Sequence, residues 1–230
     1  MIPALILYLI RRMKYGSDAS NDFEKIREII LKIKSVLFFF IVSSACAINT
    51  ISKTEILTYK VVKNNTTIGY IHIEKHVNQD VITYDLKSNV EVKLLVKVSV
   101  SSSEKSVYKD GVLLYSSVYR KINGKVKANH KVIRETEQYA VIDNNEKKFI
   151  ELSKLSKGLV ALYFEEPKEV RKVYCDNLKQ AVSVTPVRVG CYRVDFERGK
   201  YNVFHYKNGE CIKIEAISNM FKVTLIPVLS

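Results

Sequence analysis

Tryptophan is absent from this chain of 230 residues, and proline, histidine and cysteine occur only four times each. The cysteines show no C-x-x-C spacing, which removes the strongest sequence signals for a zinc ribbon or a dithiol redox centre. Cys46 lies in an N-terminal segment considered below, which leaves Cys175, Cys191 and Cys211. An odd number allows at most one disulfide and one free thiol. Their default role is that of small buried apolar residues; an oxidised pair involving Cys191 is the alternative in an exported protein. With little proline, no low-complexity linker and no repeat of fixed period, residues 48–230 read as one domain, long enough to bury a core. Catalytic signatures are missing as well. No G-x-S-x-G elbow surrounds Ser101-Ser102-Ser103 or Ser116-Ser117, and no G-x-G-x-x-G, Walker or H-E-x-x-H pattern occurs. The expectation is a protein that is not an enzyme and carries no cofactor.

Long apolar runs are also scarce. The stretch from Val36 to Ile48 holds thirteen residues, short of the roughly 20 of a membrane-spanning helix. It has instead the three parts of a secretion signal. Lys32 and Lys34 precede the apolar run Val36–Val42, and a small-x-small site, Ala45-Cys46-Ala47, follows. Three readings stay open: cleavage after Ala47, lipidation of Cys46, and an uncleaved anchor. Ser43 stands where a lipoprotein signal wants an aliphatic residue. Each reading places the remainder outside the cytoplasm, in the periplasm if free, with the membrane reached only through the signal segment or a lipidated Cys46. Residues 32–47 are then a signal peptide, and residues 1–31 a leader that reflects an early gene start or an extended signal.

Basic residues outnumber acidic ones 37 to 24, a formal charge of +13. Seven basic and four acidic residues lie in residues 1–47, which leaves 30 against 20 in residues 48–230. An excess of this size fits nucleic acid or an anionic membrane surface. Here, however, Lys and Arg alternate with Asp and Glu and form no block, which describes a solvated surface. Export argues further against nucleic acid as a partner.

The strongest positive signal is alternation. From Ile82 to Val100 the even positions are almost all apolar and most odd positions are polar, over nineteen residues without loss of phase. Period two marks a strand with one buried face. A two-residue hairpin or a one-residue bulge would swap the faces. The segment is therefore one long strand or two strands joined by an odd-length turn. Asn64-Asn65, Asp110-Gly111, Asn123-Gly124 and Asn208-Gly209 each sit between β-prone runs and predict tight hairpins. They pair 57–63 with 67–75, lead 107–109 into 112–121, and lead 201–207 into 210–217; a last strand spans 221–228. Gly158 to Tyr163 reads as one short helix. The fold class is all-β: a long, curved antiparallel meander of ten to thirteen strands, a half-barrel or open barrel, preceded by an N-terminal signal helix.

Candidate chemistry is thin. His72 and His76 have metal-ligand spacing only on a helix; on a strand they stand about 13 Å apart, too far for one ion. His205, between Phe204 and Tyr206, has no partner in sequence that completes a triad. Glu165-Glu166-Pro167 offers two adjacent carboxylates, but neighbours on an extended chain point to opposite faces. Fourteen tyrosines fit strand propensity and core filling, with a ligand-lined groove as the alternative. The candidates for such a groove are Tyr84, Leu86, Val90, Val92, Leu94, Tyr163 and Phe164.

Four stretches occur in order: Leu57-Thr58-Tyr59-Lys60-Val61 with Ile68-Gly69; Tyr108-Lys109-Asp110-Gly111-Val112-Leu113; Leu162-Tyr163-Phe164-Glu165-Glu166-Pro167; and Asn202-x-Phe204-x-Tyr206-Lys207-Asn208-Gly209. This ordered set resembles an exported bacterial all-β family known only as a domain of unknown function, similar to half-barrels of the lipoprotein-carrier type. The resemblance spans residues 57–225 and brings no catalytic residues. It implies a concave apolar face suited to an acyl chain. A lipid or other apolar ligand is one partner class to expect, and an envelope protein is another; a hydrolase acting through Glu165, Glu166 or His205 is the third reading.

Overall fold

The computed structural model describes residues 52–93, 97–136, 138–144, 146–150, 156–218 and 221–228. The leader, the signal segment with Ala45, Cys46 and Ala47, and Leu94 lie outside the described residues. The described residues form fourteen strands. The first eight are β1 (Ser52–Lys63), β2 (Thr66–Asn78), β3 (Val81–Lys93), β4 (Lys97–Lys109), β5 (Val112–Ile122), β6 (Lys125–Glu135), β7 (Gln138–Asp143) and β8 (Glu146–Ile150). After a 3₁₀ turn (Leu159–Tyr163) come β9 (Lys172–Cys175), β10 (Gln180–Arg188), β11 (Cys191–Asp195), β12 (Tyr201–Lys207), β13 (Glu210–Ile217) and β14 (Lys222–Pro227).

All fourteen join one antiparallel sheet in the order 8-7-6-5-4-3-2-1-14-13-12-11-10-9. Two meanders are thus stitched together by the first and last strands, with Tyr59 opposite Pro227 and Val61 opposite Leu225. The sheet is not closed: β8 and β9 are its edges. The all-β expectation holds, and the strand count exceeds the predicted ten to thirteen. The segment 82–100 is two strands, because β3 and β4 pair down to Lys93 opposite Lys97 and leave three residues between them. An odd connection keeps the even positions on one face, as the phase requires. The predicted short helix is a 3₁₀ turn of five residues. Among the described residues no helix is long and apolar enough to cross a membrane.

Tight turns and bulges give the sheet its curve. Asn64 and Asn65 have φ of 47° and 63°, and Asp110-Gly111 has 49° and 69°, the paired left-handed conformations whose twist matches a hairpin. Register shifts at Val61/Val62, Val107/Tyr108, Arg120/Lys121 and His205/Tyr206 add local bend. The concave face carries the core, including the fully buried Tyr59, Ile73, Leu113, Val132, Val194, Phe204 and Ile214.

The connection between the two meanders fills part of this concavity. Leu162 is fully buried at the heart of the core. Tyr163 stacks edge-on against Tyr59 and Phe204 at 5.3 and 5.8 Å, and Phe164 packs on Tyr84 at 5.8 Å. Tyr206 donates its hydroxyl to the Leu162 carbonyl, and Tyr59 donates to the Tyr163 carbonyl at 3.2 Å. Sheet tyrosines therefore satisfy the carbonyls of a segment with no ladder of its own, which a buried irregular chain needs. Gly158 is required for close approach: a Cβ there would lie 2.4 Å from the Tyr108 hydroxyl.

A cavity and a buried polar cluster at the seam

Beyond the plug, strands β4 to β7 meet the end of β9 across a seam that no backbone ladder spans. Side chains join it instead. Ser116 and Tyr174 share a hydroxyl hydrogen bond at 3.2 Å, and Ser106 donates to Asp176 Oδ1 at 3.1 Å. His130 Nε2 donates to the Asp176 carbonyl at 2.9 Å, Arg120 Nη1 to Asn177 Oδ1 at 2.9 Å, and Lys179 pairs with Asp143 at 3.1 Å.

These residues are where they are because the alternation of β3 continues into β4. Ser102, Glu104, Ser106 and Tyr108 occupy even positions, the phase that faces the concavity, and Arg120 is opposite Ser102 on β5. Glu104 accepts from Arg120 Nη2 at 2.8 Å and from Ser102 at 3.1 Å. Asp176 is 5% exposed and carries no ion pair within the cluster. Burial, followed by the nearby Glu104 charge, raises its carboxyl to about 7, against the opposing hydrogen bonds from Ser106 and Ser116. Tyr108 Oη, also buried, is the side-chain polar atom without a hydrogen-bond partner among the described residues.

Beside this cluster lies a cavity of ≈ 410 Å³. Ile71, Leu86, Leu159, Tyr163 and Phe196 supply apolar wall, and Ser88, Glu104, Arg120, Asp176 and Asn177 supply polar groups. Glu197, Arg198 and Lys200, on the turn between β11 and β12, also line it.

Of the seven groove residues expected from sequence, Leu86 and Tyr163 line this cavity. Tyr84 is buried between Tyr108 and Phe164. Phe164 lies under the Lys75 ammonium, 5.4 Å from the ring centre. Val90 borders a second depression beside Gly69 and Tyr70, and Val92 is half-buried. The expected groove is therefore interrupted, because the plug occupies its middle. The tyrosines divide as well: Tyr59, Tyr84, Tyr108, Tyr139, Tyr174, Tyr192 and Tyr206 are buried, whereas Tyr70 and Tyr119 are exposed.

Glu165 and Glu166 face different partners, Lys157 at 2.8 Å and the Tyr192 hydroxyl at 2.9 Å. His72 and His76 hydrogen-bond to Thr58 and Thr54 on β1. Among the described residues no group of three His, Cys, Asp or Glu side chains has the geometry to hold a metal ion. Cys175, Cys191 and Cys211 are all buried and free, so the oxidised pair considered from sequence is not formed. Sequence reading passed over Glu104, Arg120 and Asp176. The available signal was that β4 keeps its phase past Val100 while its inward positions turn polar.

Residues 59–228 match the family described as a domain of unknown function (DUF6134). Among solved structures, the chain is similar to a beta-barrel-like protein of domain of unknown function DUF1849 from Brucella abortus. The TM-score is 0.53 at 9% identity, covering 75% of this chain and 94% of that one. At that identity the likeness concerns the fold. No curated protein matches.

Proposed function

Starting from a chain that belongs to the DUF6134 family, whose description names no activity, we propose a non-catalytic binding module for a lipid or other apolar ligand, held in the cavity beside the seam. The cavity itself carries this reading. Its ≈ 410 Å³ falls in the range of about 300–1,000 Å³ typical of small-molecule sites. An apolar wall combined with polar groups is the lining that such sites use to bury a chain and orient a head group. Tyr163 belongs to the plug, so the plug forms one wall of the site.

The signal-like segment 32–47 supports placing this module outside the cytoplasm, free in the periplasm after cleavage at Ala47 or tethered through Cys46. Edman or mass-spectrometric sequencing of the mature N-terminus distinguishes the two, and an intact leader in a cytoplasmic fraction removes the export reading.

Binding is tested by calorimetric titration of the full chain with decanol and decanoate, together with mass spectrometry of co-purified lipid. Saturable binding, lost in a folded Leu86→Trp variant that fills the cavity, is the expected result. The absence of both titratable binding and co-purified lipid would sink the reading. A structural or docking role in the envelope is the second reading, and the filled middle of the concavity favours it. The edge strand β8, with Phe149 exposed, offers it a surface.

A further inference from the structure

The opposite face of the sheet holds a different constellation. Tyr192, Phe204 and Ile214 point into the core, so their neighbours in register on β11, β12 and β13 point out. There Cys191 is paired with His205, and Glu215 lies one diagonal step further. Cys191 Sγ is 3.6 Å from His205 Nδ1, and His205 Nε2 is 2.8 Å from Glu215 Oε2. The carboxylate accepts the Nε2 proton, which leaves the Nδ1 lone pair facing the thiol. Thiol, base and orienting carboxylate are the arrangement that activates a cysteine.

We propose that Cys191 is an activated thiol and the site at which a small hydroperoxide modifies this protein. The other two described thiols provide the contrast. Burial pushes Cys175 up to about 12 and Cys211 up to about 11, and a protonated thiol is a poor nucleophile. Cys211 directs its proton to the Lys213 carbonyl, whereas Cys191 has an imidazole. Around Glu215, Lys222 at 2.7 Å and Lys213 at 3.7 Å bring two positive charges to one carboxylate.

The class of reagent follows from access. Cys191 is only 4% exposed, which confines the proposal to a reagent as small as hydrogen peroxide. In the step, Sγ gives its proton to His205 Nδ1 and the thiolate attacks one peroxide oxygen. The S–O bond forms as the O–O bond breaks, and the departing hydroxide takes the proton from His205. Sulfur is oxidised to a sulfenic acid, the peroxide is reduced to water, and the imidazole returns to its starting state.

The test treats the full chain with hydrogen peroxide under native conditions, removes the peroxide with catalase, denatures the protein in dimedone and reads each cysteine by peptide mass spectrometry. Cys191 is expected to be oxidised at least about ten-fold faster than Cys175 and Cys211. His205→Gln is expected to remove the excess rate, and Glu215→Gln to reduce it. Equal rates at the three thiols, or labelling of Cys191 only when the peroxide is added in denaturant, overturns the proposal. If His205→Gln does not fold, a folded Glu215→Gln decides, and an unchanged Cys191 rate in it overturns the proposal.

Discussion

Relative to the wild type, Asp176→Asn should gain stability as pH rises and exceed it above about pH 7. The wild-type carboxyl is buried against Ser106 and Ser116, near Glu104, and is raised from 3.8 to about 7. A carboxyl raised on folding binds more protons in the native than in the unfolded state between those two values. Stability attributable to it is therefore greatest below pH 3.8, falls as pH rises through the window, and is flat above about 7. The full span corresponds to on the order of 4 kcal/mol, with a steepest slope of about 1.4 kcal/mol per pH unit. Asparagine keeps an acceptor for the Ser106 hydroxyl and cannot ionise. It also buries amide protons, whose desolvation costs about 1–3 kcal/mol at every pH. The difference between variant and wild type, rather than either curve alone, isolates the carboxyl. Urea unfolding of both proteins from pH 4.5 to 8.5 should show this difference moving toward the variant by several kcal/mol and levelling above about pH 7. A difference constant across that range means that Asp176 titrates as an exposed carboxyl, and the account of the seam is wrong.

The Gly158–Tyr108 contact gives a second prediction. Gly158→Ala places a Cβ 2.4 Å from the Tyr108 hydroxyl and should destabilise by about 2 kcal/mol or more, whereas Tyr108→Phe should be neutral or stabilising by about 1 kcal/mol. In the double variant much of the alanine cost should vanish, and strictly additive effects in a double-mutant cycle would remove the steric explanation. Acid provides the third. Lys222, then His205 and Lys213, hold Glu215 down to about 2, so its contribution is present above 4.5 and lost as pH falls toward 2. Glu215→Gln should flatten the acid limb of the unfolding curve, and an unchanged limb followed by circular dichroism contradicts the assignment.

How far the sequence reached can be judged element by element. Asn64-Asn65, Asp110-Gly111, Asn123-Gly124 and Asn208-Gly209 all became hairpin turns, because left-handed φ is a local property of those residues. The phase of 82–100 survived the turn it was not known to contain. Leu162 to Pro167 stood out as a motif, yet its role as a plug was not legible. Its carbonyls are satisfied by Tyr59 and Tyr206, 104 and 44 residues away in the chain. Asp176 drew no reading from sequence, since its partner Ser106 lies 70 residues away. His205 gained its partners only when Cys191 and Glu215 arrived from the neighbouring strands.

By itself, then, the sequence determined the local terms: strand periodicity, turn chemistry, an all-β class, and a signal-like segment ahead of residue 48. Each depends on residues within a few positions of one another. Tertiary structure alone decided which strands meet at β1 and β14, that the concavity is partly filled from within, and where carboxylates and thiols lose water or gain partners. Those outcomes arise from contacts between distant segments, and burial, which sets the energies of Asp176 and Tyr108, has no value until the sheet has curled around them.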